Sequence, residues 1–158
     1  MKRFILILAI IFQTGFCVSQ TINYPDSSVL SSGNWYYVNI PSNNIYKLTY
    51  NDFLALGVEE EEINFDNLSI WGNCEGAISD TNSNYTQSDL TEKAIYVNKQ
   101  EKYVLFYAKS TIKYEFDTPN NSFYFTIHPY SDVSTYFITF DSSIGEKKRI
   151  TERESIES

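Results

Sequence analysis

Cysteine and histidine are scarce in this sequence, whose 158 residues include two cysteines and one histidine. Cys17 falls in a segment that we interpret below as a cleaved leader, which would leave Cys74 and His128. These two residues cannot complete a structural zinc site, which takes four nitrogen or sulfur ligands. A single cysteine also permits no intramolecular disulfide, so the mature chain would depend on a packed core for its stability.

Long apolar runs are lacking as well. The apolar run at residues 4–12 is well short of the roughly 20 residues that a membrane-spanning helix needs. It follows Lys2 and Arg3, and small residues precede Gln20. A basic start, a short apolar run and small residues before the cut are typical of a secretory signal peptide. We therefore predict a signal peptide over residues 1–19, export of the chain, and no stable membrane span once the signal is removed.

Basic residues are outnumbered, since 12 Lys and Arg stand against 20 Asp and Glu and the formal net charge is −8. Nucleic acids and anionic lipids attract basic surfaces, so neither is predicted as a partner. The run Glu59–Glu62 is interpreted as a solvated loop, because calcium-binding loops space their ligands around a turn.

Glycine and proline are few, at 6 and 4 residues, whereas 13 Tyr and 11 Phe are present. Tyr and Phe favour pleated, half-buried surfaces, and Asn and Ser in the breaks favour turns. Strand-like runs occur at residues 34–40, 45–50, 67–72, 93–98, 102–108, 112–116, 122–128 and 134–140. This spacing predicts a mainly β fold, an antiparallel β-sandwich of about eight strands.

Alternation within the runs predicts which faces are covered. In the run at 112–116, Ile112, Tyr114 and Phe116 share one face, and the charged face opposite is expected to be wet. The segment at 103–108 (YVLFYA) is apolar throughout, which predicts a central strand covered on both faces.

One short helix is predicted near residues 51–56. Thr49 or Asn51 can cap its start, and Asp52 places a negative charge in the first turn. Gly57 can adopt the left-handed conformation that ends a helix. A helix of two turns does not persist alone, so it is expected to dock on the sheet.

The same features divide the chain into four parts. The signal peptide is followed by a polar N-terminal arm at 20–32 and a β-sandwich domain at 33–151. Residues 152–158 lack an apolar pattern and are interpreted as a frayed or truncated tail.

The residues suited to nucleophilic catalysis do not form a convincing pair. A cysteine hydrolase needs an imidazole beside its thiol, but Glu75 adjoins Cys74 and a carboxylate raises a thiol pKa. His128 stands at the end of a strand, before Pro129. No catalytic residue, metal ligand or cofactor site is predicted, although paired carboxylates of a hydrolase stay open because acidic residues are numerous.

Trp35 and Trp71 are the candidates for ligand stacking. Exposed indole rings on a β-sandwich can stack on sugars, which would make the domain a glycan-binding module. The competing interpretation places both rings in the core, because large aromatic residues are mostly buried.

The order of several segments resembles that of a known family. The run SSVLSSGNWYYVNI is followed by NNIYKLTYNDFLALGV, and then come LSIWGN, DLTEKAIYVN, KYVLFYAKS, FYFTIHPYSDVSTYFITF and GEKKRIT. Together they resemble the start of PorU-type proteins, the gingipain-like cysteine peptidases that act as sortases of type IX secretion. Two turns depart from the family pattern, which favours glycine where Asn44 stands and a glycine-rich turn where Cys74 stands.

The resemblance implies a non-catalytic N-terminal accessory region, because the family's His–Cys peptidase domain lies well downstream and has no counterpart here. It also implies a location in the periplasm or on the outer-membrane surface. The implied partners are the downstream peptidase domain of a parent protein or components of the secretion system. The alternative is a stand-alone secreted β-sandwich binding module for glycans.

Overall fold

The computed structural model describes residues 26–73 and 89–152. Within these ranges the chain forms two short 3₁₀ turns, at Val29–Ser31 and Glu60–Glu62, together with nine strands and one α-helix. These are β1 (Tyr36–Ile40), β2 (Asn44–Thr49), α1 (Tyr50–Ala55), β3 (Ser69–Gly72), β4 (Thr91–Lys93), β5 (Ile95–Asn98), β6 (Tyr103–Ala108), β7 (Ile112–Asp117), β8 (Ser122–Ile127) and β9 (Ser134–Thr139).

The strands form two main sheets and a separate ribbon. The first sheet has the order β1-β9-β3-β4, the second has the order β2-β6-β5, and β7 pairs with β8 alone. Every named strand pair is antiparallel. The predicted mainly β, antiparallel fold is therefore confirmed. One strand more than predicted appears because the run at 93–98 is interrupted at Ala94, where the chain passes from the first sheet to the second.

The hydrophobic core lies between the two main sheets. Alternate residues of β6 and β9 are buried, as the period of two along a strand requires. Phe106 of β6 meets Tyr136 of β9 across the gap, with ring centroids 5.7 Å apart. The phenol group of Tyr136 accepts a hydrogen bond from the backbone N–H of Lys109 at 2.8 Å, so the tyrosine also holds the chain after β6.

One prediction about face coverage was wrong. Strand β6 is central in its sheet, as expected, but its outer face is half-buried at Tyr103 and Leu105 and exposed at Tyr107. Tyr107 on its outer face is 52% exposed and stands opposite Ile45 of the neighbouring strand, which is also exposed. The continuous apolar run misled the prediction because a tyrosine can tolerate water through its hydroxyl group.

Helix α1 forms where it was predicted, and for the reasons given. Thr49 Oγ1 accepts a hydrogen bond from the backbone N–H of Asp52, and the Asp52 carboxylate accepts one from the backbone N–H of Thr49. This reciprocal capping box satisfies two backbone groups that a short helix otherwise leaves unpaired. Gly57 follows at φ +87°, the left-handed conformation that ends the helix. The helix docks through Phe53, which is fully buried. Within the described ranges no helix is long and apolar enough to cross a membrane.

The segment at 146–149, which we call the last described segment, is held by hydrogen bonds to two other parts of the chain. Glu92, which is 8% exposed, accepts hydrogen bonds from the backbone N–H groups of Glu146 at 2.7 Å and Lys148 at 2.9 Å. The Arg149 guanidinium donates to the three backbone carbonyls of Phe65, Asp66 and Leu68. Both contacts join residues far apart in sequence, and they place the segment beside β5.

Asp89 anchors the N-terminal 3₁₀ turn. Its carboxylate accepts hydrogen bonds from the Ser28 hydroxyl at 2.8 Å, the Val29 N–H at 2.6 Å and the Leu90 N–H at 2.8 Å. Burial raises the pKa of Asp89, but these hydrogen bonds outweigh burial and hold the pKa below its ordinary value.

We expect Asp89 to make the free energy of unfolding depend on pH. Its folded pKa lies below the unfolded value of about 3.9, so its contribution is present above pH ~4 and is lost as pH falls through the folded pKa. Urea unfolding of the wild type and Asp89→Asn should differ at neutral pH and converge in acid. Asp132→Asn, at an exposed position, is the matched control. A difference between wild type and Asp89→Asn that stays constant with pH would contradict this expectation.

Candidate functional site

The structure brings the two predicted stacking residues together. Trp35 and Trp71 are both half-buried and meet edge to face, with ring centroids 6.3 Å apart and planes at 82°. Each indole N–H already has an internal partner: Trp35 Nε1 donates to the Ser32 carbonyl at 2.7 Å, and Trp71 Nε1 donates to Ser69 Oγ at 3.1 Å. Only ring surface is therefore left for a ligand.

Part of that ring surface is covered by the protein. A Cβ atom at Gly145, whose φ is +83°, would lie 2.8 Å from Trp71 Cζ2, so the backbone there runs against the indole. Edge-to-face pairing and a covering backbone are features of packed aromatic residues. Sugar stacking on Trp35 and Trp71 stays a prediction.

A small cavity is lined in part by Asn34 and Tyr36, the sequence neighbours of Trp35. It has a volume of about 220 Å³ and is lined by Asn34, Tyr36, Glu62, Phe140 and Asp141. The Glu62 carboxylate accepts hydrogen bonds from Tyr36 Oη at 2.8 Å and Asn34 Nδ2 at 3.3 Å. Burial and the Glu62 carboxylate raise the pKa of Tyr36. The volume is below the ~300–1,000 Å³ typical of small-molecule pockets.

The residues considered for nucleophilic catalysis cannot be placed together. Cys74 lies outside the described residues, as does the adjoining Glu75. The imidazole Nδ1 of His128 accepts a hydrogen bond from the Tyr130 N–H at 3.1 Å, which gives this histidine a local structural contact. In residues 26–73 and 89–152 no group of three or more His, Cys, Asp and Glu side chains could hold a metal ion. The last of the four residues Glu59–Glu62 binds Tyr36 and Asn34.

The most unusual surface is one that the sequence patterns did not predict. On the β7–β8 ribbon, the cross-strand pairs Ile112–Ile127, Tyr114–Phe125 and Phe116–Phe123 share one side. We call these six residues the ribbon face. Phe123 is 81% exposed, Tyr114 is 63% exposed and Phe125 is 61% exposed. The alternation correctly predicted a polar side, but the apolar side is also open to solvent, because neither main sheet pairs with the ribbon.

The reverse side of the ribbon is polar and carries a small charged network. Lys113 Nζ lies 2.7 Å from Glu115 Oε1. A hydrogen bond with Glu115 raises the pKa of Tyr124, and a hydrogen bond with Lys113 lowers the pKa of Glu115. The ribbon is therefore amphipathic, and every residue of β8 is exposed.

Hydrogen bonds hold the ribbon to the sandwich at its base. Asn43 Oδ1 accepts from the backbone N–H and the hydroxyl of Ser110, at 2.6 Å and 3.0 Å, and Ser110 is fully buried. The His128 N–H donates to the Thr111 carbonyl at 3.2 Å, which extends the pairing of β7 with β8 by one step at this end. A fixed base gives the exposed aromatic side chains a defined position relative to the core.

No protein-family model and no curated protein sequence matches this chain. Among solved structures, the chain is similar to the crystal structure of dimeric latent PorU from Porphyromonas gingivalis, with a TM-score of 0.60 and 21% sequence identity. The similarity covers 77% of this chain and 11% of that chain. The chain therefore has a PorU-like fold and spans about a ninth of the length of that protein.

Proposed function

We propose that this chain is the non-catalytic accessory domain of a PorU-type type IX secretion sortase, which packs on or positions a downstream cysteine peptidase domain. The observation that carries the proposal is the fold similarity, which joins most of this chain to a small part of a much larger protein. A module of that size within a longer chain contributes by contact with its neighbours. On this proposal the chain is exported and works in the periplasm or on the outer-membrane surface.

The exposed apolar side chains of the described residues support a contact role, because such side chains mark interaction surfaces when they are contiguous. On the β7–β8 ribbon, Tyr114, Phe123 and Phe125 share one side and form such a surface.

The test is a binding measurement with the peptidase part of a PorU-type protein from the same organism. We expect a stoichiometric complex with a dissociation constant in the micromolar range by calorimetry, and a higher melting temperature for the peptidase part. An unrelated acidic β-sandwich is the control. Failure to bind at about 100 µM would contradict the proposal. Thiol-dependent peptidase activity of the chain alone, abolished by Cys74→Ala, would contradict the non-catalytic role.

A stand-alone glycan-binding module is the second candidate, favoured by the half-buried indole rings of Trp35 and Trp71, which lie together and leave part of their ring surface open. If it is correct, sugars should change the tryptophan fluorescence of the wild type, and Trp35→Phe should weaken binding by about tenfold because the smaller ring offers less stacking surface. Trp71→Phe tests the second ring of the pair. A glycan array without any response would exclude this candidate.

A further inference from the structure

We propose that the ribbon face binds the ribbon face of a second copy of this chain, giving a two-fold symmetric dimer of stacked β-ribbons. The proposal rests on the exposure, composition and topology of the six residues that form the face. It goes beyond the accessory role proposed above and does not depend on it.

The exposed area of the ribbon face suits a dimer contact. Its three most exposed aromatic side chains are 61% to 81% accessible. Because an aromatic side chain can bury 150–250 Å², the six side chains leave roughly 600 Å² open. Apolar patches larger than a few hundred Å² are uncommon on monomers. Two stacked faces would bury about 1,200 Å² in total, which is the lower limit for specific interfaces.

The charge distribution also favours a second copy. The whole chain has a formal net charge of −8, so two copies repel each other wherever charged surfaces meet. The ribbon face carries no ionised side chain. The charged residues Lys113, Glu115 and Asp117 alternate onto the reverse side. Face-to-face stacking therefore brings apolar surfaces together and keeps the charges of both copies in water.

Residues 74–88 (CEGAISDTNSNYTQS) and 153–158 (RESIES) lie outside the described ranges and are mainly polar in sequence. The apolar run at 4–12 belongs to the predicted signal peptide. A second copy of the chain is a partner whose ribbon face is apolar and of equal size.

Stacking also meets a need of the ribbon itself. A two-stranded antiparallel ribbon is marginally stable in water, whereas sheets packed face to face at about 10 Å share a dry interior. Two ribbons would form a four-stranded sandwich in which Tyr114, Phe123 and Phe125 of each copy interdigitate. Because a two-fold interface is isologous, each of these residues contributes twice.

Sedimentation velocity of the purified chain, from about 1 µM to about 300 µM, tests the proposal. The wild type should convert from monomer to dimer with a micromolar dissociation constant. The double variant Phe123→Ser/Phe125→Ser should weaken the dimer by about 30-fold or more, as loss of central aromatic anchors does. Tyr124→Ser removes an aromatic ring between these two positions but on the reverse side, and it should leave the dimer intact.

Near-UV circular dichroism and tryptophan fluorescence check that the double variant keeps its core, since Trp35 and Trp71 lie outside the ribbon. A second measurement uses only the wild type. Hydrogen exchange at β7 and β8 should slow as concentration rises through the dissociation constant, while exchange at β1 and β3 should not change.

A chain that stays monomeric at about 300 µM would overturn the proposal, and so would a folded double variant that dimerises as tightly as the wild type. Ribbon amides that become protected only when the peptidase part is added would also overturn it and assign the face to that partner. The sedimentation experiment contains the chain alone. Its failure therefore leaves the peptidase-binding test of the accessory role unaffected.

Discussion

Phe53→Ala is expected to lower the free energy of unfolding by about 3–5 kcal/mol, a large share of the stability of a small domain. Phe53 is fully buried and packs edge to face on two aromatic rings. Its ring centroid lies 5.9 Å from that of Phe65 and 5.2 Å from that of Phe140. Truncation removes the transfer free energy of the ring and leaves a cavity that these two aromatic rings cannot fill. It also removes the residue through which α1 docks, so the helix should fray.

Chemical denaturation with far-UV circular dichroism measures this effect. The neighbouring substitution Leu54→Ala is the matched control, because Leu54 is on the same helix but 40% exposed, and it should lower the free energy of unfolding far less. Phe53→Leu, which keeps most of the buried volume, should fall between the two. Equal losses for Phe53→Ala and Leu54→Ala would show that α1 does not dock through Phe53.

Glu92→Ala is expected to lower the free energy of unfolding by about 3 kcal/mol, because two part-buried hydrogen bonds from backbone N–H groups lose their carboxylate acceptor at once. The carboxylate spans the N–H groups of Glu146 and Lys148, which lie more than fifty positions away in sequence. Without the Glu92 carboxylate, the last described segment should loosen from β5. The hydrogen bonds from Arg149 to the carbonyls of Phe65, Asp66 and Leu68 would remain.

Two further variants separate the acceptor role of Glu92 from its bulk. Glu92→Gln keeps one carbonyl oxygen of the same shape, so it should recover part of the loss. Glu101→Ala, at an exposed glutamate, should have little effect. In Glu92→Ala, hydrogen exchange at the amides of Glu146 and Lys148 should accelerate more than exchange at the core amides. Unchanged exchange at these two amides would contradict the proposed role of Glu92.

Local sequence chemistry was sufficient for α1 and for most strands. The capping box joins Thr49 to Asp52, three positions apart, and Gly57 supplies the left-handed end, so every determinant of the helix is contained in nine residues. Strand positions followed from the alternation of apolar and polar residues, because a period of two leaves a local signature. The position of the break at Ala94 was missed, since β4 and β5 are each defined by partners distant in sequence.

The candidate interaction surface could be predicted only in part. Alternation in β7 showed that Ile112, Tyr114 and Phe116 share a face, but it could not show whether another layer covers that face. The alternation of apolar and polar residues along a strand is the same whether its apolar face lies in a core or in water. Similarly, Trp35 and Trp71 were candidates by residue type, and their 6.3 Å edge-to-face contact emerged only from the packing of β3 beside the chain before β1.

The mainly antiparallel β class, the place of α1 and the alternating faces of the strands follow from residue order, because they depend on neighbours within a few residues. Two other features are visible only in the folded chain: β7 and β8 stand apart from both sheets with their aromatic side exposed, and Glu92 accepts hydrogen bonds from Glu146 and Lys148. Burial and long-range pairing depend on contacts between residues that are distant in sequence, and no local pattern connects such residues.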